Sequence, residues 1–216
     1  MERIICLAIG YVFGLIQTGY IYGKIKKVDI RQHGSGNAGT TNALRTLGWG
    51  AGVITFVGDC LKCVVAVSIA RLIFASNANV ELLAIYTGLG AVLGHNYPFY
   101  LKFKGGKGIA SSAGMILAVN PWMFLITAVV FIAIVLLTQY VSLGSLVIMV
   151  LFVIQVVVYG QKGGFGLETS ELYEFYGIAV LLMILAFWRH RANIKRLMNG
   201  TENKTDVTKI GKNKKK

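Results

Sequence analysis

The sequence predicts an all-α integral membrane protein: seven transmembrane helices, with Gly-rich loops at their cytoplasmic ends. Three observations carry this. Hydrophobic residues make up 55% of the chain and charged residues 14%, the balance of a bilayer protein. Apolar segments recur along the 216 residues and leave no room for a separate soluble catalytic domain. Lysine and arginine sit in alternate loops and in the tail. The net charge of +13 would otherwise suggest nucleic acid, but these charges do not form a soluble face, so topology explains them and no nucleic-acid partner is expected.

The apolar segments are Ile4–Gly23, Gly52–Phe74, Leu82–Tyr97, Ile109–Val119, Trp122–Thr138, Leu143–Tyr159 and Tyr173–Trp188. Most reach or approach the roughly 17–25 residues that a span needs. The first lacks a convincing A-x-A cleavage site and leads into a basic loop, so it reads as a retained span. The second carries Asp59 and Lys62, three apart on one helix face. Charges inside a span are costly, so this is either a structural ion pair or part of a catalytic site. Cys6, Cys60 and Cys63 lie in apolar segments; the Cys60-x-x-Cys63 spacing reads as packing, with a redox or metal site as the alternative.

The fourth segment is the short one, about 17 Å at ~1.5 Å per residue. It must begin in the Gly-rich loop, cross where the bilayer is thin, or be a re-entrant half-helix. Charge arbitrates. With seven spans and the N-terminus outside, Lys24–Trp49, Phe99–Gly108 and the tail after Trp188 hold five, three and ten Lys/Arg, which is 18 of 22, and Gln139–Ser142 holds none. If the fourth segment does not cross, the ten-charge tail lands outside, against the positive-inside rule. The expected domain is therefore residues 1–202, followed by a Lys-rich, disordered cytoplasmic tail over 203–216 whose charge suits contact with anionic lipid.

Two Gly-rich basic stretches stand out, GSGNAGTTNALRTLG (Gly34–Gly48) and GHNYPFYLKFKGGKGIASS (Gly94–Ser112). Backbone amides freed by glycine, together with Lys and Arg, are what phosphate oxygens require. Residues 34–39 satisfy GxGxxG, but a membrane span and a basic loop precede them where a dinucleotide fold needs a strand. Lys107 is not a P-loop lysine: Leu101 stands at the first glycine position and Gly108 at the Ser/Thr position. In the first stretch Ser35, Asn37, Thr40 and Thr41 offer hydroxyls and an amide, and Arg45 can fork onto phosphate. A plain connector loop is the alternative. In the second, Lys107 lies between Gly106 and Gly108 at the start of the fourth helix, where a helix N-terminus favours an anion. Lys102 and Lys104 serve equally well as membrane anchors or as ligands, and His95 either bonds a helix end or joins the site. A third element, HRANIKRLMNGTE (His190–Glu202), puts His190 and Asn193 on one face below the last span, and Ser142 can join them.

Together these three stretches resemble the bacterial membrane glycerol-3-phosphate acyltransferases that use acyl phosphate as donor, the PlsY family. The length, the seven spans and the placement of the motifs on one face agree, so the resemblance covers residues 1–204. It implies transfer of a fatty acyl group from acyl phosphate to the sn-1 hydroxyl of glycerol 3-phosphate, giving lysophosphatidic acid and phosphate, in the bacterial cell (inner) membrane. It implies no cofactor and no metal, and it says nothing of protein partners. By resemblance Ser35, Asn37, Arg45, Lys107, His190 and Asn193 act in catalysis, with His95 near them. Gly36, Gly39, Thr40, Thr41, Asn42, Lys104, Gly105, Gly106, Gly108 and Ser142 bind substrate. The HxxxxD motif of soluble-type acyltransferases is absent, because Ala38, Tyr100 and Lys195 stand five residues after His33, His95 and His190. Either His190 or a substrate phosphate oxygen takes the hydroxyl proton. The cytoplasmic-side carboxylates Asp29, Glu202 and Asp206 look too scattered to form a site. The competing class, a transporter of organic anions, predicts polar groups at mid-membrane and paired half-repeats. Here they gather at one face and no repeat is found. A non-catalytic lipid-binding scaffold would not need so many convergent phosphate ligands.

Overall fold

The first apolar segment is not one helix. In the computed structural model, which describes residues 1–205, α1 (Glu2–Gly14) stops and α2 (Thr18–Ile25) resumes after Leu15, Ile16 and Gln17. A broken helix leaves carbonyls without partners, and hydrocarbon offers no water to replace them. Side chains fill the gap. Lys62 Nζ donates to the Gly14 and Ile16 carbonyls (3.3 and 2.6 Å), Tyr100 donates to Leu15 (2.7 Å), and the buried Gln17 amide donates to Gly14 and His95 (3.2 and 3.0 Å).

After a 3₁₀ turn at Ile30–Gln32 come α3 (Thr40–Leu47) and the long α4 (Trp49–Ile73), joined at Gly48, whose φ of +91° is a glycine conformation. Then follow α5 (Val80–Asn96), a 3₁₀ turn at Phe99–Leu101, α6 (Ile109–Val119), α7 (Pro121–Thr138), α8 (Val141–Gln161), α9 (Thr169–Arg189) and α10 (Arg191–Met198). The α6–α7 corner is sharp for local reasons. Asn120 accepts the Trp122 and Met123 amides, and Pro121 takes the first helical position, where its missing N–H is not needed. Among the described residues there is no strand.

Helix α5 is the axle. It packs against α1, α4, α6 and α9 and is buried along nearly its whole length. Its approach to α1 depends on glycine from both sides. A Cβ on Gly10 or Gly14 would lie 1.9 or 2.3 Å from the Thr87 or Ala91 carbonyl, and one on Gly90 or Gly94 would lie 2.1 or 2.3 Å from Leu7 or Tyr11. This is small-residue packing at four-residue spacing on both partners, the way helices associate where lipid provides no hydrophobic drive. The main apolar core, including Leu82, Met115, Met149, Phe152, Phe175 and Leu182, lies between α5, α6, α8 and α9. Large side chains such as Leu72, Trp122, Ile132 and Leu137 point outward, as a lipid-facing surface requires.

Among the described residues five helical stretches are long and apolar enough to cross a membrane: Glu2–Ile25, Trp49–Ile73, Pro121–Thr138, Val141–Gln161 and Thr169–Arg189. The other two expected segments are the shorter α5, of 17 residues, and α6, of 11. At ~1.5 Å per residue they measure about 25 and about 17 Å. Polar side chains divide between the two ends of the bundle. One end carries ion pairs of Arg3 with Glu174 and Arg71 with Glu81; the other carries both Gly-rich stretches. The expected tail begins inside the described region, where Asn203 and Thr205 still pack against the bundle; from Asp206 on it lies outside the described residues.

Replacing Gly94 by Ala forces α5 off α1, because the obstacles are backbone atoms. Overpacking of this kind costs typically ~1–3 kcal/mol. The expected outcome is a lower melting temperature in detergent and less folded protein in the membrane. Gly177→Ala is the control, since nothing lies within 4 Å of its Cβ position; equal melting of the two variants would refute the close-crossing account.

Candidate active site

One end of the bundle gathers Arg45 from α3, Lys107 from the loop before α6, Ser142 from the start of α8, His190 and Asn193 around the α9–α10 junction, and Glu202 from the segment after α10. Glu202 is the centre. One carboxylate oxygen accepts from Asn193 Nδ2 (2.7 Å) and Ser142 Oγ (3.1 Å), and the other accepts from Arg196 Nε (2.7 Å). Burial alone would raise its pKa; the hydrogen bonds from Asn193, Arg196 and Ser142 together outweigh that and hold it lowered. Asn193 Oδ1 in turn accepts from Lys107 Nζ (2.5 Å). Arg45 reaches the same segment from the other side, donating to the Asn203 carbonyl (3.3 Å) and the Thr205 hydroxyl.

Lys107 is a cation in a crowded place. Burial pulls its pKa down to about 8, Glu202 resists, and Arg196, Arg189 and Arg45 push it further down. Its ammonium is still mostly charged at neutral pH. His190 is buried, and burial and then the Lys107 charge bring it down to about 4, so it is a neutral imidazole. Its Nδ1 lies 2.8 Å from the Ala186 carbonyl, which can only accept, so the proton sits on Nδ1 and Nε2 keeps a lone pair.

The loop carrying Lys107 is laid against the end of α5. The Gly105 and Gly106 amides donate to the Asn96 and His95 carbonyls (3.2 and 3.1 Å), which are orphan acceptors of the helix end. Side chains are excluded here: a Cβ on Gly106 would lie 2.0 Å from His95 Nε2, and one on Gly105 would lie 2.0 Å from the His95 carbonyl. On the opposite side Arg189 donates to the Gly105 and Gly106 carbonyls (3.0 and 2.6 Å). Gly108, with φ +84°, then turns the chain into α6.

The first Gly-rich stretch is shaped by one buried side chain. Asn42 accepts the Ser35 amide (2.8 Å) and donates to the carbonyls of Ile30, His33 and Asn37 (2.7, 3.1 and 2.9 Å). Gly34 and Gly36 take positive φ. Asn42 thus holds the loop together, where the sequence suggests a substrate ligand: its amide is already engaged with backbone. Ser35 and Gly36 are exposed, and Asn37, Gly39, Thr40 and Thr41 are half-buried. Among the described residues none of these side chains hydrogen-bonds to the Lys107–Glu202 cluster; α3 meets it through Arg45.

The structure also places three further groups for which the sequence left two readings. His95 does not join Lys107 and His190. It is buried behind the glycine loop, with Nδ1 2.8 Å from Lys62 Nζ, because the loop folds over its ring. Asp59 and Lys62 are a buried ion pair (2.9 Å) at the α1–α2 break, away from the cluster. Lys104 is exposed and makes no side-chain hydrogen bond among the described residues. Conversely, Glu202, Arg189 and Arg196 are central, yet the sequence offered little to mark them. The two arginines merge with the tail's basic residues, and the carboxylate's partners come from 60 residues away as well as nearby.

A bundle with lipid-facing sides and a cationic, histidine-containing cluster at one end defines an integral membrane protein equipped to hold an anionic group. The family model for glycerol-3-phosphate acyltransferase matches residues 4–200, and the chain belongs to that family. Glycerol-3-phosphate acyltransferases from Clostridioides difficile and Halalkalibacterium halodurans are 46% and 42% identical to it, over 93% and 92% of this chain and 94% and 93% of theirs. Its fold is similar to the crystal structure of PlsY (YgiH), an integral membrane glycerol 3-phosphate acyltransferase, in its glycerol 3-phosphate form. The TM-score is 0.81 and the identity 33%, over 97% of this chain and 98% of that one. The lysophosphatidic acid form of the same enzyme gives 0.79 and 34%, over 96% and 97%.

Glu202→Gln keeps the shape but removes the anion from a buried position into which Asn193, Ser142 and Arg196 all donate, so that its new NH₂ group faces a donor. Losing a hydrogen bond to a charged group costs ~1.5–3 kcal/mol. The expected outcome is a clear drop in melting temperature, smaller in Arg196→Gln/Glu202→Gln than the sum of the two single changes; strict additivity would show that the pair is not coupled.

Proposed function

We propose that this protein transfers a fatty acyl group from acyl phosphate to the sn-1 hydroxyl of glycerol 3-phosphate, giving lysophosphatidic acid and phosphate. The observation that carries the reading is a charge imbalance. Among the described residues Arg196, Arg189 and Arg45 lie around Lys107 at one end of an apolar bundle, and Glu202 is the one carboxylate bonded into the cluster. Such an excess of cations calls for phosphate, and lipid-facing helices beside it suit a substrate with a long acyl chain. The relatives' names and the glycerol 3-phosphate and lysophosphatidic acid forms of the similar structure support the acceptor and the product.

An acyl phosphate is already activated, so no covalent enzyme intermediate is needed; the two substrates must be held close and oriented. The acceptor hydroxyl attacks the acyl carbonyl carbon. Its proton passes to His190 Nε2 or to a substrate phosphate oxygen. The tetrahedral oxyanion collapses, the carbon–oxygen bond to phosphate breaks, and phosphate leaves with the bonding pair. Lys107 and Arg45 meet the charge that grows on the phosphate, with Asn193 and Ser142 as further donors. Ser35 and Asn37 complete the site once substrate bridges the first Gly-rich loop to the cluster. In this reading α5 and α6 complete seven spans. The N-terminus lies outside, and the C-terminus and active site lie on the cytoplasmic side of the bacterial cell membrane, with residues 1–202 as the enzymatic unit.

Donor choice tests the reaction. Purified protein in lipid is expected to release phosphate from palmitoyl phosphate with glycerol 3-phosphate and to show no turnover with palmitoyl-CoA. Equal rates with both donors would remove the donor assignment.

Lys107→Ala removes a preorganised contact to the leaving phosphate and should cost about 10²–10³ in turnover, whereas Lys102→Ala should lose far less. The same lysine sets a pH limb. Only its charged form serves, so kcat/KM should fall above about pH 8. Bound phosphate raises the lysine's pKa, which places the corresponding limb of kcat higher. Lys107→Arg, charged throughout, should lack the limb. A Lys107→Ala enzyme within a few-fold of the parent would end this assignment.

A further inference from the structure

We infer that Arg189 is a positioning residue for the glycine loop: it fixes the backbone that presents Lys107, and does not itself bind substrate. This rests on the proposed role of Lys107. Arg189 is the last residue of α9, and its position in a basic stretch suggests only membrane anchoring. The geometry gives it a narrower task. One guanidinium nitrogen, Nη2, donates to both the Gly105 and Gly106 carbonyls (3.0 and 2.6 Å), and the guanidinium carbon lies over the Tyr97 ring, 5.1 Å from its centroid. Nη2 is thus taken up by these two carbonyls, and Nε is buried without a partner, out of reach of a substrate.

A peptide unit is planar, with C=O and N–H pointing in opposite directions. The Gly105 carbonyl points at Arg189 while the Gly106 amide of the same unit points at the His95 carbonyl, so this unit is gripped at both ends. In the next unit the Gly106 carbonyl points at Arg189, which sends the Lys107 amide the other way. That amide donates to no backbone or side-chain group among the described residues. Two successive glycines have no intrinsic preference that would hold these orientations. Arg189 therefore supplies from outside the rigidity that the glycine sequence lacks. It sets the direction of both the Lys107 amide and the Lys107 side chain, whose ammonium reaches Asn193 on the helix that follows Arg189.

The test compares Arg189→Met, Arg189→Lys and the parent in lipid. Readouts are kcat and KM for glycerol 3-phosphate, melting temperature, and calorimetric binding of glycerol 3-phosphate. A misplaced catalytic group costs on the order of 10²-fold. The expected result is a loss of that size in kcat/KM for Arg189→Met at a melting temperature close to the parent's, and partial recovery in Arg189→Lys, which can reach one carbonyl. In a Lys107→Ala background Arg189→Met should add only a few-fold, because both changes act on one loop. Full activity per folded molecule in Arg189→Met, or a full additional loss on top of Lys107→Ala, overturns the inference. If Arg189→Met does not fold, Arg189→Lys carries the same comparison. Absence of turnover in the parent would instead refute the proposed reaction; the binding measurement then decides the inference, which fails if parent and variant bind glycerol 3-phosphate equally.

Discussion

The interaction on which the rest depends is the buried ammonium of Lys62. A charge inside the bundle is expensive unless its donors are satisfied, and here they meet four acceptors on three elements: the Gly14 and Ile16 carbonyls, Asp59 on its own helix and Nδ1 of His95. The arrangement works in both directions. The broken first helix needs donors for its carbonyls, and the lysine needs acceptors; neither would persist in hydrocarbon alone. Thr18 adds a hydrogen bond to the same Asp59 oxygen, so the restart of α2 is tied to the pair as well.

From this hub a chain of contacts runs to the site. His95 presents its side chain to Lys62 and its carbonyl to Gln17 and Gly106. The residue that anchors the helix break thus also forms the platform on which the glycine loop carrying Lys107 rests. The tight α1–α5 crossing keeps this register, because Gly90 and Gly94 leave the two backbones almost no freedom to slide. Rigidity at the break, at the crossing and at the loop is one property of the structure. It suits a reaction in which the protein's main task is to hold two substrates and a developing charge in place.

Much of this was legible in the sequence, and the parts that were not have physical reasons. Apolar segments and loop charge marked the helices because the bilayer imposes a long, simple pattern. The break at residues 15–17 left no such mark: its cause is a lysine more than 40 residues away, and the run through it is as apolar as an intact span. The Lys107, His190 and Asn193 cluster could be anticipated because helix spacing places the last two on one face and glycine flanks the first. The misplacement of His95 and Asn42 has a different origin. Both lie inside glycine-rich stretches that look like ligand shells, and a polar side chain that builds such a shell has the same residue type as one that lines it. Only the hydrogen-bond partners distinguish them: backbone groups for the Asn42 amide, and the buried Lys62 ammonium for the His95 ring.

Glu202 shows the limit of spacing arguments most clearly. Along the sequence it is one acidic residue among lysines, with no carboxylate or histidine at a telling distance. In space it is the only carboxylate that bonds the cluster among the described residues, and it draws Ser142, Asn193 and Arg196 to one point. A site for anions has to hold its cations together against their mutual repulsion before substrate arrives. A single fixed carboxylate does this at little cost: it offsets part of the repulsion between Lys107, Arg45, Arg189 and Arg196 while leaving the sum positive. The resting site therefore keeps its cations assembled without becoming neutral, and in the proposed reaction the remaining positive charge is what a substrate phosphate matches.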